Sequence, residues 1–213
     1  MKLFLTSSTV TSNLIKPFEN FIGKSSPGLK VAFIPDAGLK NTSKNSTIDE
    51  EMNELINDLN WKVDKITLEN ENFSSLSKLF DYDAVYVNGG YSGYLAQVMK
   101  TSGFDKILPK ILNKDIVYVG SSAGSMVLSK VQDAASFYFG EPDPEALKIG
   151  GLGLVDFELY PMHDHRWTDD LVEKIKEKRN KDLKYYLLRD GQAVSVENTQ
   201  IKLYGDVVVL EKE

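Results

Sequence analysis

The chain has 213 residues, 42% of them apolar and 26% charged, the proportions of a globular protein long enough to close one core. Its 25 Lys and Arg against 31 Asp and Glu leave a net charge of −6, which argues against nucleic acid or an anionic membrane as partner. The absence of cysteine excludes disulfides, thiolate metal ligands and a thiol nucleophile, and no apolar run approaches the roughly 20 residues that cross a bilayer.

Residues 2–5 form a short β-type run. Residues 9–22 place Val10, Leu14 and Phe18 at helical spacing, and Gly23 ends the helix. The run LKVAFI at 29–34 is a buried-type strand stopped by Pro35. The polar stretch 38–46 reads as a loop. Residues 48–59 predict a helix capped by Thr47, with Glu50 three residues on. Residues 61–68 alternate like a strand. DAVYV at 83–87 is a strand ending at Asn88-Gly89-Gly90, and 91–100 and 104–112 read as helices. DIVYV at 115–119 is a strand, followed by a helix predicted over 123–131. Strand–loop–helix units in this order predict a mostly parallel sheet with helices on both faces.

The later part differs. A strand at 156–160 leads to Pro161, and 169–179 is a charged helix. Segments 185–188, 193–196 and 201–210 are β-rich and separated by turns, which predicts an antiparallel extension at one sheet edge. No repeat or linker divides the chain, so residues 1–213 read as a single α/β domain. No N-terminal run has signal-peptide length, so the expected location is the cytoplasm.

The sharpest chemical feature is Gly120-Ser121-Ser122-Ala123-Gly124, between a predicted strand and a predicted helix. This is G-x-S-x-G in the context it requires: a tight turn projects the central hydroxyl from the sheet edge. Ser122 holds the central position; Ser121 and Ser125 do not. The amide of Ala123 can bind an oxyanion, and the helix N-terminus adds positive potential. The glycine pair Gly89-Gly90, at the end of another strand, offers further backbone amides. A serine nucleophile needs a base, and the chain has only His163 and His165, in Tyr160-Pro161-Met162-His163-Asp164-His165-Arg166. Residues two apart in an extended segment face the same way, so both rings can reach one site or both miss it. A carboxylate to orient the imidazole is offered by Asp190 or Asp133. His163-Asp164-His165 also carries ligand types that suit zinc or iron, without helical spacing or an identifiable third ligand. Dinucleotide and P-loop glycine motifs are absent from the sequence.

At these residues the chain resembles the S51 serine peptidase family, that of dipeptidase E and cyanophycinase. The resemblance runs in order through Leu5-Thr6-Ser7-Ser8, Ile34-Pro35-Asp36-Ala37, Val87-Asn88-Gly89-Gly90, the Ser122 segment, Gly151-Leu152-Gly153-Leu154-Val155 and Leu188-Arg189-Asp190-Gly191-Gln192-Ala193. It implies a class I glutamine amidotransferase-like α/β fold, with Ser in place of the Cys of that wider fold. It implies a nucleophile at Ser122, an oxyanion site at the amides of Gly90 and Ala123, a His base after the strand, and an acid corresponding to Asp190. It implies a small peptide substrate and no metal or cofactor; dipeptidase E itself cleaves dipeptides with an N-terminal Asp. Two positions depart from the family pattern. Tyr91 stands where an Asn commonly follows the glycine pair, and Met162 intervenes between Pro161 and His163. His163 is the favoured base and His165 the alternative. The Asp selectivity of dipeptidase E needs a cationic pocket, for which Arg166 is a nearby candidate. An esterase-type acyl hydrolase and a catalytically degenerate binding protein on the same fold remain alternatives, and homodimer formation stays open.

Overall fold

The computed structural model describes residues 1–40 and 45–213. A seven-stranded sheet is built from β1 (Lys2–Thr6), β2 (Lys30–Ile34), β3 (Lys62–Lys65), β4 (Ala84–Val87), β5 (Val117–Ser121), β8 (Ala193–Glu197) and β9 (Gln200–Tyr204), in the order β3-β2-β4-β5-β1-β8-β9. The first five strands run parallel, whereas β8 and β9 add antiparallel at the β1 edge. Side chains alternate across it. Leu3, Leu5, Ile34, Val85 and Val87 face one core with helices α4 (Ser92–Ser102) and α5 (Phe104–Leu112). Phe4, Val31, Phe33, Tyr86 and Val119 face the other, with α1 (Ser12–Ile22) and α3 (Asn45–Asn57). Both faces of the parallel strands are buried, as their near-continuous apolar sequences require. Among the described residues no helix is long and apolar enough to cross a membrane.

The C-terminal part corrects the sequence reading. The strands β6 (Phe157–Pro161), β7 (Lys184–Leu188) and β10 (Val208–Leu210) leave the main sheet and form a second one, order β10-β7-β6. Within it β6 and β7 are parallel and β10 is antiparallel. The run at 201–210 is therefore split between two sheets at Gly205. The small sheet packs Phe157, Leu159, Tyr186 and Leu188 against the main core. Its opposite face buries Tyr160, Met162, Tyr185 and Leu187 with Leu171 and Ile175 of α9 (Asp169–Lys178). Neighbour choice between distant strands is not encoded in local alternation, so the pattern gave the strands without their partners.

Three helices also differ from expectation. A short α2 (Asp36–Leu39) opens the segment expected as loop, part of which lies outside the described residues, and α3 already begins at Asn45, so Thr47 lies within it rather than at its cap. The helix expected over 123–131 is only α6 (Ala123–Met126). Past it, the carbonyls of Val127, Leu128, Ser129 and Lys130 accept hydrogen bonds from the amides of residues 151–155. The glycine-rich Gly151-Leu152-Gly153 segment thus takes the carbonyls that a longer helix would use. A Cβ on Gly151 would stand 2.0 Å from the Ser129 oxygen, so only glycine permits this approach. Two further short helices, α7 (Asp133–Ser136) and α8 (Glu145–Ile149), complete the chain between β5 and β6.

Candidate active site

The carboxyl ends of the parallel strands open into a cleft of about 650 Å³. Ser122, Gly89, Gly90, His163, His165 and Asp190 all line it. Open α/β sheets place ligands at this edge because the loops there are free of the sheet's own hydrogen bonding.

Ser122 follows the last residue of β5 with φ 49° and ψ −110°, a conformation that a non-glycine residue holds only when its surroundings enforce it. The enforcement is visible. The amide of Ser122 donates to the Thr6 carbonyl at 3.1 Å, tying the turn to the neighbouring strand. Ser125 donates its hydroxyl to the carbonyls of Thr6, at 2.9 Å, and Gly120, at 2.7 Å. That use of its hydroxyl makes Ser125 a brace for the turn. Gly124 lets the turn lie against β4, since a Cβ there would come within 2.1 Å of the Val87 oxygen.

Beside Ser122, the amides of Gly89, Gly90 and Ala123 have no acceptor among the described residues. Gly90 has φ 142°, and a Cβ on it would meet the Ala37 oxygen at 2.1 Å, so this loop also demands glycine. With α6 only four residues long, any positive potential at Ala123 comes from these local amides rather than from a long helix.

His163 and Asp190 meet through strand register. Pro161 on β6 pairs with Leu188 on the parallel β7, and His163 and Asp190 each lie two positions further on. Met162 extends the pairing by donating its amide to the Leu188 carbonyl at 2.8 Å, and its side chain is buried in the small sheet's core. His163, next along, takes the opposite side, toward the cleft. Its Nδ1 lies 3.2 Å from Asp190 Oδ1 and 3.4 Å from Oδ2. Asp190 also accepts from the Asp164 amide at 3.2 Å. The His165 ring stacks on that of His163, centroids 5.6 Å apart, and has no hydrogen bond to Asp190 among the described residues. Ser7 joins the two sheets at the cleft by donating its hydroxyl to the Met162 carbonyl at 3.3 Å. Among the described residues no hydrogen bond links Ser122 to either imidazole. Asp133 lies elsewhere: it accepts from the Asn180 amide at 2.9 Å and from the Tyr185 hydroxyl. Among the described residues no three His, Asp or Glu side chains are grouped to hold a metal ion.

The sequence reading passed over the acidic wall. Glu50, Glu51 and Glu54 of α3 line the cleft, as do Glu141 and Asp143. Glu51 accepts from the Tyr86 hydroxyl at 2.5 Å. Burial raises its carboxyl pKa above the ordinary value, opposed chiefly by the hydrogen bond from Tyr86. Arg166 is the single lysine or arginine among the described lining residues, and its guanidinium lies 3.9 Å from Glu141. Glu51 carried no sequence signal because it sits on an ordinary charged helix; only the packing of α3 beside β4 turns it inward.

The same fold occurs in solved peptidases. A Listeria monocytogenes structure assigned as a peptidase E superposes with a TM-score of 0.68 at 22% identity, covering 99% of this chain and 98% of that one. A peptidase from an acI-B1 Actinobacterium gives 0.69 at 18% identity, covering 100% and 91%. In sequence, the uncharacterized peptidase Lmo0363 of Listeria monocytogenes is 25% identical over 93% of this chain and 96% of its own length. An uncharacterized peptidase of Pasteurella multocida, PM1590, is 24% identical over 92% and 94%. The mixed α/β architecture is thus that of peptidases, and the assignment can be made narrower. The model of peptidase family S51 matches residues 3–204, and the chain belongs to that family.

Proposed function

We propose that the protein is a serine peptidase that hydrolyses small peptides in this cleft without a metal or cofactor. The observation that carries the reading is the strained Ser122 turn, flanked by unpaired amides and facing the His163–Asp190 pair across one cleft. Asp190 holds the Nδ1–H of His163, which leaves Nε2 as the proton acceptor. Ser122 Oγ attacks the scissile carbonyl carbon as its proton passes to Nε2. The carbonyl oxygen becomes an oxyanion held by the amides of Gly90 and Ala123, with Gly89 beside them. Collapse of this intermediate breaks the C–N bond, and His163 gives its proton to the leaving amine. Water, deprotonated by His163, then hydrolyses the acyl-serine ester and restores Ser122.

Ser122→Ala is expected to lower kcat by roughly 10⁴-fold or more on any peptide the wild type cleaves. Peptide turnover that survives the substitution sinks the mechanism. The missing Ser122–His163 hydrogen bond favours a second reading, a binding protein with an idle site. Catalytic contacts often tighten only around substrate, so a panel of dipeptides decides between the two. Serine-dependent cleavage of any member removes the binding-only reading. The cysteine-free sequence fits a cytoplasmic location.

A further inference from the structure

We infer that Asn13 is a positioning residue for the proposed reaction: its side-chain amide holds the turn that carries Asp190, and through Asp190 it sets the tautomer and direction of His163. The inference rests on the reading of His163 and Asp190 as the base and its partner.

Asp190 lies in the short crossing 189–192, where the chain leaves β7 of the three-stranded sheet and enters β8 of the seven-stranded one. Inside the crossing, Gln192 shapes the turn. Its backbone amide donates to the Arg189 carbonyl at 3.1 Å, and its side-chain oxygen accepts from the Arg189 amide at 2.8 Å. Gln192 Nε2 also donates to the Asp206 carbonyl at 3.0 Å, which joins this crossing to the return crossing between β9 and β10.

Asn13 reaches the turn from another element. Its Nδ2 donates to the Gly191 carbonyl at 2.8 Å. Asn13 stands in the first turn of α1, and Leu14 and Phe18 of that helix are buried with Phe4 of β1. The side chain is thus a strut from the helical layer of the main sheet to the residue beside Asp190. The strut is itself oriented: the Thr11 hydroxyl donates to Asn13 Oδ1 at 2.5 Å, which leaves Nδ2 to face Gly191. Gly191 has φ 72°, in the left-handed region, and a Cβ there would stand 2.8 Å from Asn13 Nδ2 and push the strut away.

The Asp190 carboxylate has His163 Nδ1 and the Asp164 amide as partners, and both lie on the exposed loop after β6. Partners on that loop cannot also locate the carboxylate that orients it, so the anchorage of the turn does. A misplacement of about 1 Å at a catalytic group can cost roughly 100-fold in rate. Asn13 is exposed, so its loss should move this geometry with little effect on global stability.

The test introduces Asn13→Ala into the full chain. Nitrogen-15 NMR at about pH 9, above the ordinary histidine range, reports the neutral tautomers. The protein has two histidines, and His165→Ala assigns their signals. Wild type should hold His163 mainly in the Nδ1–H form, and Asn13→Ala should shift it toward the mixture found in Asp190→Ala. On a cleaved peptide, kcat should fall about 10-fold, with KM within about twofold and the urea midpoint unchanged. In the Asp190→Ala background the same substitution should change kcat by less than about twofold, because the group it acts through is gone. A His163 tautomer that Asn13→Ala leaves unmoved, or a rate loss that repeats in full without Asp190, overturns the inference. If the urea midpoint drops, Thr11→Val, which releases the Asn13 amide without removing it, repeats the NMR comparison with the same two outcomes. Wild-type turnover is scored separately. An inert wild type whose tautomer still responds to Asn13→Ala refutes the peptidase reading and keeps this one.

Discussion

The two halves of the cleft are held in different ways. On the seven-stranded sheet, Ser122 is fixed by backbone: its own amide, the braced hydroxyl of Ser125 and close glycine contacts leave it one conformation. On the three-stranded sheet, His163 is fixed by side chain: its ring is 51% exposed and rests on one carboxylate, itself 32% exposed. The proposed nucleophile is thus part of the fold, whereas the proposed base is an attachment to it. Strain is tolerable where the surrounding backbone over-determines it, and mobility is tolerable where substrate can complete the geometry.

That contrast makes graded predictions. Gly124→Ala should be the most damaging, because its methyl would press on the Val87 carbonyl; a loss of more than about 3 kcal/mol in urea unfolding is expected. Unchanged stability there would mean that the nucleophile half is softer than described. Next is Glu158, buried on β6, which accepts from the amides of Gln132 at 3.1 Å and Ala134 at 3.2 Å. Burial raises its pKa to about 7 from the ordinary 4.5, against those hydrogen bonds. The folded state therefore keeps a proton that the unfolded chain gives up. The stability this contributes is complete below pH 4.5 and disappears as pH rises to about 7. Its size is about 3 kcal/mol. Glu158→Gln should lack this loss, so unfolding of wild type and variant at pH 5 and pH 8 should differ in slope; parallel curves contradict the assignment.

Smaller effects belong to the base half, and they should appear in rate rather than stability. Asp190→Asn is expected to lower kcat about 100-fold with its urea midpoint unchanged, because the carboxylate orients a ring that solvent already reaches. His165→Ala should change kcat by less than about threefold, since that ring only stacks on its neighbour. A larger loss for His165→Ala than for Asp190→Asn would transfer the role of base to His165.

Much of this was legible in the sequence. The DIVYV run followed by Gly120-Ser121-Ser122-Ala123-Gly124 announced a strand and a sharp turn, because both depend on local sterics. The expected mostly parallel sheet is present, with β8 and β9 as its antiparallel edge. The second sheet was not legible, since β6 and β7 look alike whether they pair with each other or with β1. The truncation of α6 was hidden for a related reason: its cause is the distant segment 151–155 competing for carbonyls. The side to which His163 points became readable only once Met162 was seen to continue the β6–β7 ladder into the core.

The equal offset of His163 and Asp190 from the Pro161–Leu188 pair limits how this protein can diverge. A residue inserted after either strand alone would slide one partner past the other by roughly 3.3 Å and reverse its facing. Insertions would be tolerated only in matched pairs, one after each strand, or beyond both residues. Relatives that retain this His–Asp contact should therefore show loop lengths after these two strands that vary together, while the remainder of each loop is free to differ.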